Sequence, residues 1–338
     1  ITTGTPIDAA EALEVGLIDD ISRNDLLKDA LALLSNTRLD KRITLNLPVN
    51  QSDPEDIEKA ERVALRKNGS RENVQEAIRL IKKAGTRAAE ELLDEERSVF
   101  QRLRSSSDAK ALRYLFFSER RAATIDSASH INSKEVSSVA IIGAGTMGQG
   151  IARAFISYDF ECTIVERDPH LLAKSMSEIK ASVDRRVQRK RLSDADATTI
   201  LQRLSGATDY QLISHCDLVI EAVFEELELK IEVLKLIEKH VDHEAILASN
   251  TSYLDINKMG KHLKFPQRLV GLHFFNPADV MKLLEIIQTK QTSLRTVKTS
   301  LTLAKKLNKQ PAIAQVSDGF IGNRIFAAYR HRAELLVL

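Results

Sequence analysis

The sequence predicts an α/β fold whose centre is a doubly wound parallel sheet, preceded by a mostly helical region. Three observations carry this. From residue 138 onward, short apolar runs alternate with longer helical patterns, as strand–helix–strand units require. Before that point the chain is charged, and its apolar residues recur at spacings of three and four, the mark of one helix face. Between the first apolar run and the helical pattern after it stands a G-x-G-x-x-G turn, which fixes where the sheet begins.

Taken in order, the chain falls into four stretches. Residues 1–40 open on a turn, "TTGTPID", and continue into two short amphipathic patterns, "AAEALEVGLIDDI" and "NDLLKDALALL". Residues 41–136 form a helical linker region. It starts with an irregular connector, "KRITLNLPVNQSD", and ends in a polar segment, "TIDSASHINSKEVSS". Between them "PEDIEKAERVALRKN", "RENVQEAIRLIKKAG" and "RAAEELLDEERSVFQRLRSS" read as helices. Residues 137–318 hold the sheet, with expected strands at Val139–Ile142, Cys162–Val165, Leu218–Val223, Ile246–Ala248 and Leu269–Leu272. Residues 319–338 start a new helix after "VSDGFIGNR". That helix stops at "AAYRHRAELLVL" without a cap, and the chain opens on Ile1 without a signal-like segment. Both ends predict a piece of a longer polypeptide.

Bulk composition narrows the function classes. With 338 residues, 43% hydrophobic and 28% charged, the chain can bury more than one core. A formal net charge of +2 gives no uniform field that would single out nucleic acid or a membrane surface as the main partner. No apolar run approaches the roughly 18 residues of a membrane helix. Cys162 and Cys216 read as packed thiols of a reduced intracellular chain.

The stretch "SSVAIIGAGTMGQGIARAF" places Gly143, Gly145 and Gly148 between a strand and a helix with an apolar face at Ile151, Ala154, Phe155 and Tyr158. The first glycine permits the tight turn, the second lets backbone approach a pyrophosphate, and the third lets helix and strand pack closely. Glu166 follows Gly148 by 18 residues at the end of the next strand, where a carboxylate accepts bonds from the adenosine ribose. This is the fingerprint of a Rossmann-type dinucleotide site. Glu166 repels a 2′-phosphate, so NAD is favoured over NADP, with Arg167 as a neighbour that softens the bias.

In such a sheet, ligands bind outside the carboxyl ends of the strands. The polar residues at those ends are Glu225 and Lys230, then Ser249, Asn250, Thr251 and Ser252, then His273 and Asn276; Glu285 follows in the apolar "KLLEII". An alcohol dehydrogenase needs a base with an orienting partner on its second nitrogen. Of eight histidines, His273 alone stands at an expected strand C-terminus; the other seven read as surface residues. On spacing alone, a hydrogen-bonded core histidine, a rim carboxylate at Glu285 and a helix cap at Ser252 for "YLDINKMG" stay open beside the catalytic reading. No cluster has metal-ligand spacing, and no nucleophile motif occurs.

The segments "VAIIGAGTMGQGIA", "DLVIEAVFEELELK", "ASNTSYL", "GLHFFNPADVMKLLEII" and "DGFIGNRI" resemble, in order and spacing, the successive motifs of 3-hydroxyacyl-CoA dehydrogenases over residues 137–338. The resemblance implies NAD-dependent oxidation of (3S)-3-hydroxyacyl-CoA to 3-oxoacyl-CoA. It implies His273 as base, Glu285 as its partner, and Ser252 and Asn323 around the substrate hydroxyl and thioester. It places Asn276 near the nicotinamide, and Met147, Glu166, Val223, Glu225, Lys230 and Ser252 among the cofactor contacts. It also implies a helical C-terminal domain, of which this chain holds the first helix, that completes the acyl-CoA cleft and pairs two subunits.

The opening "ITTGTPIDAAEALEVGLIDDI" resembles the closing segment of the crotonase fold of enoyl-CoA hydratases, and "LRYLFFSERRA" the connector of fused hydratase–dehydrogenases. The whole is similar to the centre of a multifunctional fatty-acid oxidation protein of the bacterial alpha-subunit type. That likeness implies a thiolase partner and a cytoplasmic setting, or a mitochondrial or peroxisomal one in a eukaryote, with the hydratase active site outside this chain. The competing readings are a non-catalytic nucleotide-binding or structural protein on the same fold, and an enzyme for short 3-hydroxy acids without CoA.

Overall fold

The computed structural model describes residues 2–337 except 24, 37–42, 50–51, 70 and 126–129. The boundary expected at residues 40–41, and parts of the expected connector and polar linker, lie outside the described residues. The chain divides into two compact units, residues 1–114 and 115–338.

The first unit is helical: α1 (Ala9–Glu14), α2 (Leu26–Asn36), α3 (Pro54–Asn68), α4 (Glu72–Lys83) and α5 (Ala89–Arg104), with α6 (Ser107–Ala122) beginning at its end. Helix α3 shows why the sequence pattern was readable. Asp53 caps its first turn by accepting from the Glu55 N–H, Pro54 fills the first helical position, and Arg66 and Lys67 meet the C-terminal dipole. Its Ala64 packs on Val74 and Ile78 of α4. Across the surface, Glu95 accepts from Lys83 (2.8 Å) and Arg79, and these two cations hold its carboxyl down to about 2. The cluster is half-buried at the surface, where solvent screens it, and contributes little to stability.

The second unit holds the sheet. Its elements are β1 (Ser138–Ile142), α7 (Thr146–Ile156), β2 (Glu161–Val165), α8 (Pro169–Gln188), α9 (Asp194–Gln202), β3 (Leu204–Ala207), β4 (Leu218–Glu221) and α10 (Leu227–His240). Then follow β5 (Ile246–Ser249), α11 (Ile256–Gly260), β6 (Leu269–Phe274), β7 (Leu283–Gln288), α12 (Leu294–Lys306), β8 (Gln310–Gln315) and α13 (Gly322–Leu335). The eight strands run in the order β3-β2-β1-β4-β5-β6-β7-β8. The order reverses between β1 and β4, which makes their carboxyl ends the crevice of the sheet.

The expected parallel sheet needs one correction. The first six strands in that order are parallel, but β7 runs antiparallel to β6, and β8 pairs parallel with β7. Strands β3, β7 and β8 were not expected. "LSGA" carries a glycine and little apolar weight, Glu285 interrupts the run of "LLEIIQ", and "QPAIAQ" contains a proline.

The central strands are buried on both faces. Val139 and Ile141 of β1 join one core cluster, with Ile151, Phe155 and Ile164; Ala140 and Ile142 join the other, with Val219, Leu234 and Leu247. This is the period-two division that a continuous apolar run produces when helices cover both faces. Truncating Phe155, fully buried and 5.2 Å from the Phe160 ring, costs about 3–5 kcal/mol. Helix α7 ends at Ile156, so Tyr158 leaves the apolar face expected for it and is exposed. Cys162 and Cys216 are free and buried; burial raises both thiols, Cys216 to about 11.

Candidate functional site

The three glycines after β1 do three different jobs. Gly143 has φ +108°, and a Cβ there would stand 2.9 Å from the Ala222 carbonyl oxygen. A Cβ on Gly148 would stand 2.0 Å from the Gly143 carbonyl oxygen, so α7 approaches β1 only with glycine at this point. Gly145, at the N-cap of α7, has nothing within 4 Å of a Cβ. The space it leaves belongs to a cavity of about 520 Å³ lined by the turn, Met147, Glu166, Arg167, Tyr210, Val223 and Phe224. Glu166 accepts from the Ala144 N–H (3.1 Å) and the Asp168 N–H (3.2 Å), which fixes its carboxylate at the mouth of the turn. An open glycine turn on a helix N-terminus, with a carboxylate beside it, fits the pyrophosphate and ribose of NAD.

The second centre lies across β6 and β7. Their antiparallel register pairs His273 directly with Glu285, and residues opposite one another on such a pair share a face. The imidazole Nδ1 lies 2.6 Å from Glu285 Oε2, with side-chain exposures of 5% and 0%. A carboxylate accepts only, so Nδ1 carries a hydrogen, and in the neutral ring the lone pair is then on Nε2. Among the described residues Nε2 engages no protein group. The rings of Phe275 and Phe320, at 4.5 Å and 5.8 Å, wall the imidazole.

Glu285 is held from its other side by α13. Its Oε1 accepts from the Ile321 N–H (3.0 Å) and the Gly322 N–H (2.7 Å). Burial pushes this carboxyl up, but the bonds from His273, Gly322 and Ile321 outweigh it, and the group sits below the usual carboxylate range. A Cβ on Gly322 would stand 2.8 Å from the Phe275 ring, so glycine is what lets α13 come this close. Asn323 is the next residue of α13 and half-buried. Asn276 is exposed in the turn that leaves β6.

The loops after β4 and β5 are tied together. Glu225 Oε1 accepts from Thr251 Oγ1 (2.6 Å), the Ser252 N–H (2.7 Å) and the Tyr253 N–H (3.1 Å). Lys230 is buried against Glu221 (2.8 Å), the Val223 carbonyl (3.2 Å) and Glu225 (3.4 Å). Asn250 Oδ1 accepts from the Phe274 N–H (2.9 Å), joining this region to the strand of His273. Ser252 does not cap the following helix: α11 starts at Ile256 and Asp255 is its cap. His240, read as a surface residue, is half-buried, with Nδ1 2.8 Å from the Leu236 carbonyl and its ring near Tyr210.

Several features were missed by sequence reasoning. Three residues carry no local sequence signal for their roles: Phe275 and Gly322, which meet beside the imidazole, and Glu221, buried in an apolar strand. A further cavity of about 500 Å³ is lined by Arg185, Arg186, Arg189, Arg191, Ser182 and Asp279. The run "DRRVQRKR" was its available signal. Among the described residues no cluster could hold a metal ion, and no helix is long and apolar enough to cross a membrane.

Comparison with known proteins agrees with this geometry. Residues 138–317 match the model of the family described as 3-hydroxyacyl-CoA dehydrogenase, NAD binding domain. The peroxisomal bifunctional enzyme of Cavia porcellus is 32% identical over 352 residues, covering 100% of this chain and 48% of that protein. The human peroxisomal bifunctional enzyme is 33% identical over 348 residues, with the same two coverages of 100% and 48%. The chain thus spans about half the length of the curated relatives it matches. Among solved structures, M. tuberculosis FadB2 superposes with a TM-score of 0.59 at 33% identity, over 60% of this chain and 72% of that one. The (S)-3-hydroxybutyryl-CoA dehydrogenase of Ralstonia eutropha gives 0.56 at 38% identity, over 57% and 68%. The chain belongs to the 3-hydroxyacyl-CoA dehydrogenase family, and residues 138–317 are its NAD-binding domain.

Proposed function

We propose that this chain carries the dehydrogenase step that converts a (3S)-3-hydroxyacyl-CoA to the 3-oxoacyl-CoA. The observation that carries the proposal is the His273–Glu285 pair, buried on adjacent strands with Nε2 left free. When bound, NAD supplies the hydride acceptor. His273 Nε2 takes the hydroxyl proton as the C3–H bond gives up its hydride and the C3–O bond becomes a carbonyl. Glu285 keeps the hydrogen on Nδ1 and stabilises the imidazolium that forms. Phe275 and Phe320 exclude water from the ring. Ser252 and Asn323 are assigned to the substrate hydroxyl and thioester, Asn276 to the substrate and the space between base and nicotinamide, and Met147, Glu166, Val223, Glu225, Lys230, Ser252 and Asn276, with the three glycines of the turn, to the cofactor.

The arginine-lined cavity supports a CoA thioester over a short hydroxy acid. Four guanidinium groups match the phosphates of CoA, and Asp279 and Val280 of its wall follow shortly after Asn276. A purely structural use of the fold would gain nothing from a buried base with a free nitrogen. The test is NADH formation from NAD and 3-hydroxyacyl-CoA thioesters of several lengths. Turnover with the thioesters but not with free 3-hydroxy acids is expected; NAD binding without turnover at any length overturns the proposal.

The same reading assigns residues 1–40 to the end of a hydratase domain, and it includes pairing through the helical C-terminal domain and a thiolase partner. For the compartment it offers two settings, the bacterial cytoplasm of the motif likeness and the peroxisome named in the relatives. Tagging and purification of the full-length protein decide among these.

A further inference from the structure

We propose that Glu221, buried at the carboxyl end of β4, is a positioning residue that sets Val223 and Ser252 relative to each other. The inference rests on the dehydrogenase reading and adds to it a residue that touches neither reactant.

Glu221 is 0% exposed and Lys230 is 1% exposed. Glu221 Oε2 lies 2.8 Å from Lys230 Nζ and accepts, at 3.4 Å, from the Val223 N–H. Lys230 also faces the Val223 carbonyl at 3.2 Å and Glu225 Oε2 at 3.4 Å. The ammonium thus donates to Glu221 and to the Val223 carbonyl, and it lies within ion-pair range of Glu225. Val223 is therefore gripped at both its N–H and its carbonyl.

Two routes lead from Glu221 to the loop that holds Thr251 and Ser252. Through Lys230 and Glu225, it reaches the Ser252 N–H, which donates to Glu225 at 2.7 Å. Through Ser249, whose hydroxyl donates to Glu221 Oε1, it reaches the Thr251 N–H at 3.3 Å. Val223 lines the cofactor cavity and Ser252 is assigned to the substrate, so a single buried pair spans both sides of the reacting centre.

Stability does not call for this arrangement. A buried ion pair replaced by apolar groups of similar volume is often neutral or stabilising, whereas losing one partner is costly. What the pair adds is direction, because each charge fixes the geometry of the groups bonded to it. Misplacement by about 1 Å can lower turnover by about 100-fold.

The test compares Glu221→Gln, Lys230→Met and the double variant with the parent, in the full-length protein. Melting temperature, NAD affinity, kcat and KM for a 3-hydroxyacyl-CoA, and amide exchange at Ser252 and Tyr253 are measured. The single variants are expected to melt lower. The double variant, free of unpaired buried charge, is expected to regain the parent melting temperature. Exchange at Ser252 and Tyr253 in the double variant is expected to stay about tenfold faster. Because Lys230 is itself implied as a cofactor contact, kcat is read on Glu221→Gln alone, where it is expected about 10- to 100-fold down with NAD affinity near that of the parent. A Glu221→Gln protein with parent kcat, or a double variant with parent protection, overturns the proposal, since the two charges then serve only each other. If the parent turns over no hydroxyacyl-CoA, the dehydrogenase reading fails, and the exchange measurements still decide whether Glu221 positions the Ser252 loop.

Discussion

The two ends of the site are built from different materials. Behind β1 the walls are backbone: Gly148 passes the Gly143 carbonyl with no room for a Cβ, and Gly145 faces open space. Across β6 and β7 the working parts are side chains, a histidine and a glutamate 12 residues apart, with the glutamate held by the N–H groups that start α13. The first end binds mainly by shape and fixed dipoles, with the Glu166 carboxylate beside them at the mouth of the turn. The second end holds and moves a proton, so it needs groups that titrate. Damage to the two should therefore separate into binding without turnover and loss of binding itself.

The largest effect is expected at the side-chain end. His273→Gln should lower kcat by about 10²- to 10⁴-fold, with NAD affinity measured by calorimetry unchanged. Glu285→Gln should come close to it, because a glutamine that donates to Nδ1 moves the hydrogen to Nε2 and removes the base's lone pair. Gly148→Ala should do the reverse. Its Cβ would stand 2.0 Å from a carbonyl oxygen, so about 1–3 kcal/mol of stability should be lost in denaturant titration, and NAD binding with it. Gly145→Ala sharpens the contrast: the melting temperature should hold, since the added methyl meets no protein atom, while NAD affinity falls by about tenfold.

The smallest effect is the acid response. Glu285 sits below the usual carboxylate range in the folded chain, so its contribution is complete above the ordinary carboxylate value and is lost as pH falls through the lowered one. Amide protection at Ile321 and Gly322 should fade across that window, while the Gly143 amide, bonded to the Val165 carbonyl, stays protected. Simultaneous loss at both places would show that the two ends are not independent.

The contrast also explains what could be read from the residues in order. A glycine turn is local: strand, spacing and helix lie within 19 residues of one another in "SSVAIIGAGTMGQGIARAF", where Gly143 and Gly148 are fixed by close backbone and Gly145 leaves open space. Helix α3, with Asp53, Pro54 and its terminal charges, was equally local. The meeting of His273 with Glu285 depends on an antiparallel register that no spacing rule states, and only family likeness raised it above an open choice. Strand β7 was missed for the same reason that it matters, because its one charged residue breaks the apolar run. The bonds from Ile321 and Gly322 to Glu285, 36 and 37 residues on, had no sequence signal.

The central claim is that Glu285 holds the ring hydrogen of His273 on Nδ1, so that Nε2 carries the lone pair of the neutral imidazole. Nitrogen-15 spectra of histidine-labelled protein, read on the neutral ring, test it directly. The account predicts a protonated Nδ1 and a bare Nε2 for His273, exchanged in Glu285→Gln. A neutral ring with the hydrogen on Nε2 and a bare Nδ1 would contradict it.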